Sequence, residues 1–201
     1  MTGSIKKHES TMIAPELLLA AYATGYFPMA DPSDGNIRWY SPDPRAIISL
    51  DTFKISRSLH QTIKKKLFSI RINTTFEQVI RSCAKREETW ISEEIIQSYL
   101  ELFRLGYAHS VESWKEEKLV GGLYGVALGG AFFGESMFST TRDASKVSLV
   151  SLVGRMKIRG FTLLDTQFLT PHIATLGASE IPRREYLLIL NSAISKKVSF
   201  L

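Results

Sequence analysis

Apolar positions in the first half of the chain recur with the period of amphipathic helices. Helices are predicted at Pro15–Thr24, Ser56–Leu67 and Ser92–Leu105, with Ser56 and Ser92 as caps and Gly106 at the last stop position. Another helix is predicted from Thr75, because Thr74 and Glu77 have the spacing of a capping box. Strands are expected near Ala46 and over Phe68–Asn73, so this half is mostly helical.

From Tyr107 onward the apolar period shortens to that of strands. The segment AHSVESW alternates, and KLVGGLYGVALGGAFFGESMFS predicts two strands joined by a tight turn at Gly129 and Gly130. A helix capped by Asp143 and ended by Gly160 follows, then the strand FTLLDTQF and a last helix opened by Pro182. This order predicts an α+β fold with a mixed α/β sheet.

Prolines and aromatic residues are concentrated in YFPMADPSDGNIRWYSPDPRAI, between the first helix and the first strand. A segment with this many rings is too apolar for a solvated linker, so it is either packed on the protein or built to stack a ligand. The segment is therefore either a long ordered loop or a small lobe. We divide the chain into an N-terminal part over residues 1–60 that contains it and a larger domain over 61–201.

Composition restricts the partners and the compartment. The formal net charge is +5 and the pI is near 9.3, which suits a polyanion but is also common in proteins without such a partner. Cys83 is the only cysteine, which excludes an internal disulfide and a cysteine zinc site and fits the reducing cytoplasm. We expect neither a signal peptide at the N-terminus nor a membrane span, since the longest uncharged run, Leu119 to Gly134, is short and rich in glycine.

Three polar residues interrupt otherwise apolar strands. Glu135 stands alone in GGAFFGESMFS, and by strict alternation it shares a strand face with Met137. Asp165 and Gln167 share a face with each other, opposite Thr166. Each acid is costly to bury without a partner, so these residues are either structural hydrogen-bond partners or parts of a site that orients an amine or a carbonyl.

The sequence signals for other functional sites are weaker than the signal from these three polar residues. The segment TTRDASK places Lys146 beside a helix N-terminus, which indicates either a phosphate seat or an ordinary capped helix. The four histidines lack ligand spacing, and Cys83 lies on an amphipathic helix as a small buried residue. We therefore predict no metal site and no covalent nucleophile.

Eight segments, taken together and in order, resemble the motifs of the leucyl/phenylalanyl-tRNA–protein transferases. They extend from about Tyr22 to Tyr186 and are WYSPDPRAII, ISRSL, CAKREETWI, AHSVESW, LVGGLYGVA, FFGESMFS, DASK and LLDTQFLTPHIATLGASEIPRREYL. The resemblance implies a GNAT-like acyltransferase domain preceded by a shortened N-terminal lobe. It also implies transfer of Leu or Phe from Leu-tRNA or Phe-tRNA to the N-terminal α-amine of proteins that begin with Lys or Arg, marking them for N-degron degradation, without cofactor or metal.

The resemblance also implies roles for individual residues. The catalytic group is Glu135, Asp165 and Gln167. The residues expected at the tRNA 3′-adenosine and acceptor end are Met29, Trp90, Tyr99 and Lys146, those expected in the amino-acid side-chain pocket are Leu123, Phe132 and Met137, and those expected in support are Tyr22, Arg45 and Arg57. Two positions depart from the family pattern, with Met29 in place of Trp and Asp143 in place of Asn, and both concern nucleotide affinity.

Two other protein classes share parts of these patterns. A CoA-dependent acetyltransferase would have the same order of elements, but it predicts a glycine-rich pyrophosphate loop before a helix, which TTRDASK lacks. An RNA-binding protein without catalysis would use the basic helices and aromatic residues, but it would leave Glu135, Asp165 and Gln167 without a role.

Overall fold

A computed structural model describes residues 12–201; the first eleven residues, part of the segment for which no signal peptide is expected, lie outside this range. The helices are α1 (Pro15–Ala23), α2 (Arg57–Lys64), α3 (Phe76–Ala84), α4 (Glu93–Arg104), α5 (Ala144–Arg159), α6 (Pro171–Ala174) and α7 (Arg183–Ile194). The strands are β1 (Phe27–Ala30), β2 (Ile37–Tyr40), β3 (Arg45–Ile48), β4 (Ser69–Ile72), β5 (Ala108–Lys115), β6 (Lys118–Leu128), β7 (Ala131–Ser139), β8 (Leu163–Gln167) and β9 (Ala178–Ile181). None of the helices between residues 12 and 201 combines the length and apolar character needed to cross a membrane.

Seven strands form one mixed sheet in the order β4-β5-β6-β7-β8-β3-β9. Within residues 12–201, β7 and β8 are the parallel neighbours of this sheet, and its other neighbours are antiparallel. The hairpin β6–β7, the helix α5 and the strand β8 follow the predicted order. The predicted α+β fold with a mixed sheet is therefore confirmed.

The sheet separates two apolar cores. One core receives Leu18 from α1, and it also holds buried residues of α3, α4 and α7. The other is formed with α2 and with α5, which contributes Leu149 and Leu152. Phe133 and Phe132 are adjacent in β7 and are buried in the first and second core respectively, as strand alternation requires.

The proline-rich segment is a two-stranded hairpin, which the sequence analysis did not predict. Strands β1 and β2 pair antiparallel from Phe27↔Tyr40 to Ala30↔Ile37, and the Ala30 N–H donates to the carbonyl of Trp90 at 3.1 Å. Strand β3, by contrast, lies inside the large sheet between β8 and β9. Residues 45–48 therefore belong to the sheet of the larger unit, although they fall within the 1–60 segment expected to form the small lobe.

Two predicted helix caps form, whereas the capping box of α3 and the cap predicted at Asp143 do not. Ser56 and Ser92 accept hydrogen bonds from backbone N–H groups three residues on, as expected. The capping box predicted for α3 is wrong, because the hydroxyl of Thr74 donates to Glu112 instead. Glu112 also accepts the N–H groups of Thr74 and Thr75, both at 2.9 Å. A buried carboxylate on β5 thus satisfies the orphan donors at the start of α3.

We expect Gly129→Ala to destabilise the protein and Gly154→Ala to stabilise it. Gly129 has φ +53° in the β6–β7 turn, and an added Cβ would lie 2.3 Å from the carbonyl oxygen of Ile194. Gly154 lies in the middle of α5, where an added Cβ meets nothing within 4 Å and Ala is favoured by about 1 kcal/mol. Urea unfolding measures both changes, and a Gly129→Ala protein as stable as the parent would contradict the close approach.

Candidate active site

A cleft opens where the parallel strands β7 and β8 separate. The two strands pair as far as Phe133↔Asp165 and then diverge. The space between and beyond them is a cleft of about 470 Å³, a size typical of small-molecule sites. Glu135 and Gln167 border it from opposite strands.

Each of the two diverging strands carries a β-bulge at this point. In β7 the pairing with β6 passes from Tyr124↔Ser136 to Gly125↔Gly134, which leaves Glu135 as the extra residue. In β8 the pairing with β3 passes from Ile47↔Asp165 to Ala46↔Gln167, which leaves Thr166 as the extra residue. Bulges interrupt the ladder and redirect side chains, so this pair of irregularities opens the sheet and aims Glu135.

The bulge in β7 corrects one expectation from strict alternation. Glu135 was expected to share a face with Met137, but Glu135 is directed to the tyrosines of α1 and α4, whereas Met137 packs against the core that contains α5. The extra residue shifts the alternation by one position. Both side chains still border the cleft, because the cleft passes between the separated strands.

Glu135 is buried, with 7% of its surface exposed, and accepts three hydrogen bonds. Tyr22 donates to Oε1 at 2.7 Å, Gln167 donates its Nε2–H to the same oxygen at 2.9 Å, and Tyr99 donates to Oε2 at 3.1 Å. The hydroxyl groups of Tyr22 and Tyr99 also contact each other. Residues from α1, α4, β7 and β8 therefore meet at one carboxyl group.

Burial dominates the ionisation of this carboxyl group. Desolvation raises the pKa of Glu135 to about 7, although the hydrogen bonds from Tyr22, Gln167 and Tyr99 act in the opposite direction. Burial also raises the pKa of Tyr22 and of Tyr99 well above that of a free phenol, so both tyrosines keep their protons. Within the cluster, the carboxyl group is therefore the one whose pKa lies near neutral pH.

Asp165 has a different environment from Glu135. Arg45 donates Nε–H to Oδ1 at 2.9 Å and an Nη2 proton to Oδ2 at 2.6 Å, and neither residue is exposed. Tyr186 and the backbone N–H of Gln167 donate to the same carboxylate at 2.7 and 2.8 Å. Asp165 is thus part of a fully bonded ion pair and does not border the cleft.

Gln167 connects the two acids. Its backbone N–H is bonded to Asp165 and its side-chain amide to Glu135, and its φ of +66° turns the chain at the bulge. The three residues of the predicted catalytic group therefore form one hydrogen-bonded cluster, in which Glu135 and Gln167 face the cleft and Asp165 lies behind them.

The cleft has an apolar wall that includes two of the three residues expected in the side-chain pocket. Leu123 and Met137 border it, together with Leu164 from β8. The third, Phe132, does not border the cleft: its ring is fully buried in the second core, which also holds Leu123, and packs against Phe200 at 5.2 Å. Sequence reasoning also missed two wall residues on α5, although their i, i+3 apolar spacing was visible: Leu149 and Leu152.

The residues expected at the acceptor end of tRNA lie in three different places. Trp90 is half-buried and borders the cleft, next to Arg86, which donates to the carbonyl of Met137 at 2.7 Å. Met29 and Lys146 are half-buried but do not belong to the lining. Tyr99 is fully buried against Glu135, so it is a partner of the acid rather than an accessible nucleotide contact.

Of the three residues expected in a supporting role, two lie at the site and one does not. Arg45 and Tyr22 both reach the buried cluster, whereas Arg57 is exposed at the start of α2 and pairs with no carboxylate within residues 12–201. Asp143 occupies the N-cap position of α5, but its carboxylate accepts from Thr62 at 3.1 Å and makes no capping bond.

Burial raises the pKa of Cys83 to about 12, which agrees with its interpretation as a small buried residue rather than a nucleophile. Among residues 12–201, no group of three or more His, Cys, Asp and Glu side chains is placed to hold a metal ion.

The fold and the cleft define the class of the protein, and comparison with known proteins defines its family. A mixed sheet with the order hairpin, helix, strand, opened between its two parallel strands at a buried acid and an amide, is an α+β fold with the cleft site of an enzyme. The family model of the leucyl/phenylalanyl-tRNA protein transferase matches residues 47–191, and the model of that family's N-terminal domain matches residues 11–43. The chain therefore belongs to this family and is an aminoacyltransferase of the leucyl/phenylalanyl-tRNA–protein type.

Individual relatives agree with this assignment. A leucyl/phenylalanyl-tRNA–protein transferase of Chlorobaculum tepidum is 54% identical over 193 residues, which are 94% of this chain and 100% of the relative. The same enzyme of Herpetosiphon aurantiacus is 54% identical over 94% of this chain and 98% of its own length. A solved structure described as L-PGS from Bacillus licheniformis has a TM-score of 0.42 and 16% identity, covering 79% of this chain and 55% of that one.

The free energy of unfolding should decrease as pH rises through neutrality because of Glu135. A folded-state pKa of about 7 against an ordinary value of 4.5 means that the native state binds the extra proton between these pH values. This contribution is complete below about pH 4.5 and is lost as pH rises through about 7, with a size of roughly 3 kcal/mol.

Urea unfolding of the parent and of Glu135→Gln at pH 5 and pH 8 measures this effect. The variant should gain stability relative to the parent between the two pH values, because Gln carries no charge. The exposed Glu87→Gln protein is the matched control and should follow the parent. An equal pH dependence of parent and Glu135→Gln would contradict the raised pKa.

Proposed function

We propose that the chain transfers Leu from Leu-tRNA or Phe from Phe-tRNA to the N-terminal α-amine of proteins that begin with Lys or Arg, and that the products are thereby marked for N-degron degradation. The observation that carries the proposal is an apolar cleft with a buried acid at its edge, held by two phenols and an amide. The apolar wall suits an uncharged side chain, and Glu135 suits the amine groups that both reactants bring.

The apolar wall supports the choice of Leu and Phe. Leu123 and Met137 on the strands face Leu149 and Leu152 on α5, and these side chains have no strong hydrogen-bonding group. A pocket of this kind separates side chains by shape and desolvation, with about 1–3 kcal/mol for each methylene-sized misfit. We therefore assign this wall to the transferred side chain.

The reaction requires little chemical activation. An aminoacyl ester is already activated, so the protein has to hold the amine against the ester carbonyl and stabilise the charge that develops there. Gln167 borders the cleft and donates one of its two amide N–H groups to Glu135, and an amide carries a second N–H and a carbonyl that can contact the reactants. No cofactor enters this scheme.

The mouth of the cleft supports the assignment of the tRNA end. Trp90 offers a ring for stacking on the terminal base, and Arg86 adds a guanidinium group at the same edge. Met29 lies on β1, whose Ala30 is hydrogen-bonded to the backbone of Trp90, so we place it as the softer second wall for the adenine. Lys146 and the net charge of +5 favour the tRNA phosphates, and the substrates place the reaction in the cytoplasm.

Labelled Leu-tRNA or Phe-tRNA should transfer its amino acid to peptides that begin with Lys or Arg, in the absence of CoA, ATP and added metal. Peptides that differ only by an N-terminal Ala are the matched acceptors and should be poor substrates. Ser-tRNA and Asp-tRNA should be poor donors, because the apolar wall leaves a polar side chain unpaired. Equal transfer to all acceptors, or a requirement for acetyl-CoA, would overturn the proposal.

Gln167→Ala should reduce the single-turnover transfer rate by about 10²–10³-fold while changing tRNA affinity little, since it removes a preorganised polar group at the reacting centre. Gln61→Ala, an exposed position on α2, is the matched control and should transfer at the parental rate. The rate is compared with a tRNA binding titration and circular dichroism. Parental transfer by folded Gln167→Ala would assign the amide a structural role.

A further inference from the structure

Three hydroxyl and carboxyl groups form a closed triangle behind the cleft. Tyr22 contacts Glu135 Oε1, Tyr99 contacts Glu135 Oε2, and the two phenol oxygens contact each other. Each of these contacts is an O···O hydrogen bond that needs one proton. Both tyrosines are fully buried, so no solvent molecule donates into these contacts and the three groups must provide the protons themselves.

The number of protons in the triangle depends on the charge of Glu135. When the carboxyl group is ionised, the two phenols provide two protons for three contacts, and the contact between Tyr22 and Tyr99 has none. When Oε2 is protonated, it donates to Tyr99, Tyr99 donates to Tyr22, and Tyr22 donates to Oε1. The neutral acid therefore completes a ring of three hydrogen bonds.

We propose that Glu135, with Tyr22 and Tyr99 as positioning residues, is the group that accepts the proton of the incoming α-ammonium. This inference rests on the proposed function and assigns its proton-transfer step. Asp165, the alternative acid, already accepts four hydrogen bonds, two of them from Arg45, and does not border the cleft. Protonating Asp165 would leave a buried guanidinium group without its partner.

The step balances as follows. The α-ammonium gives one proton to Glu135 Oε2, and the nitrogen lone pair attacks the carbonyl carbon of the aminoacyl ester. The new C–N bond forms, the bond from the carbonyl carbon to the ribose oxygen breaks, and the second nitrogen proton goes to that oxygen. The products are an amide and a free tRNA hydroxyl, and Glu135 releases its proton to solvent before the next cycle.

Ionisable groups on β3, β6, β8 and α7 surround Glu135 and could affect its pKa. Asp165 on β8 disfavours the carboxylate, and the Arg45 guanidinium on β3 is held by Asp165. Tyr124 on β6 and Tyr186 on α7 are buried phenols whose pKa values are raised well above the ordinary value, so they stay neutral. The raised pKa of Glu135, about 7, is consistent with a group that takes up and releases a proton under cellular conditions.

The ring predicts whether Tyr99→Phe raises or lowers the titration midpoint of Glu135. If Tyr99 were merely a donor to the carboxylate, its removal would raise the titration midpoint of Glu135, because one stabilising contact to the charged form is lost. In the ring, the neutral form loses two hydrogen bonds. The charged form loses one charge-assisted hydrogen bond, but it also loses the contact between two hydroxyl oxygens that has no proton, which offsets that loss. The midpoint should therefore fall.

Infrared difference spectroscopy of the free protein between pH 4 and pH 9 tests this prediction by following the C=O band of the protonated carboxyl group, which Glu135→Gln identifies by its loss. We expect a parental midpoint of about 7 and a lower midpoint in Tyr99→Phe. Tyr22→Phe provides a second test if Tyr99→Phe does not fold, and should also lower the midpoint. Tyr107→Phe, on an exposed tyrosine, is the control and should leave the midpoint unchanged.

A Glu135 midpoint near the ordinary value of about 4.3, or an upward shift in Tyr99→Phe, would overturn the ring. Because this titration uses the protein without tRNA, its outcome is separate from that of the transfer assay. Single-turnover transfer supplies the second readout: Glu135→Gln should lose about 10²–10⁴-fold in rate, as expected for a missing general base. Transfer by Glu135→Gln at the parental rate would assign the proton to another acceptor.

Discussion

The buried ion pair between Arg45 and Asp165 is the interaction on which the rest of the site depends. Arg45 is fully buried, and its guanidinium group lies between the rings of Phe27 and Tyr186 at 4.8 and 4.6 Å. It also donates to the carbonyl of Gly25 at 3.0 Å. One cation therefore joins the segment after α1, the hairpin β1–β2, the sheet and α7. Removing one member would leave the other charge buried without a partner, which typically destabilises a protein by about 3–5 kcal/mol.

The ion pair with Arg45 also gives Asp165 a different role from Glu135. Asp165 holds Arg45 and the backbone of Gln167, so it sets the position of the amide that faces the cleft. Glu135 has no cation as a hydrogen-bond partner within residues 12–201 and is held by phenols and an amide. The same functional group is thus paired with a guanidinium group in one place, whereas in the other burial raises its pKa to about 7.

Local sequence patterns predicted most of the elements, because their signals act within a few residues. Serine caps, the turn at Gly129 and the stop at Gly160, which has φ +80°, lie where the structure has them. The capping box at Thr74 failed because Glu112, distant in sequence, competes successfully for the same donors. The hairpin β1–β2 was missed because its strands are only four residues long and the first contains Pro28, which weakens the alternation.

The sequence by itself determined the chemical types available at the site: two acids and an amide in apolar strands, leucines at helical spacing on α5, and motifs in the order of one enzyme family. The tertiary structure decided which acid receives which partner and which wall residues meet. Phe132 was placed in the pocket by analogy, yet it packs inside the same core as the wall residues and does not border the cleft, and the bulge at Glu135 reverses the faces that alternation assigned. The ion pair of Arg45 with Asp165 and the triangle of Tyr22, Tyr99 and Glu135 join residues 36 to 120 positions apart. Patterns within one segment carry no information about such pairings, because the pairing energy is set by burial and geometry that exist only after the sheet has formed.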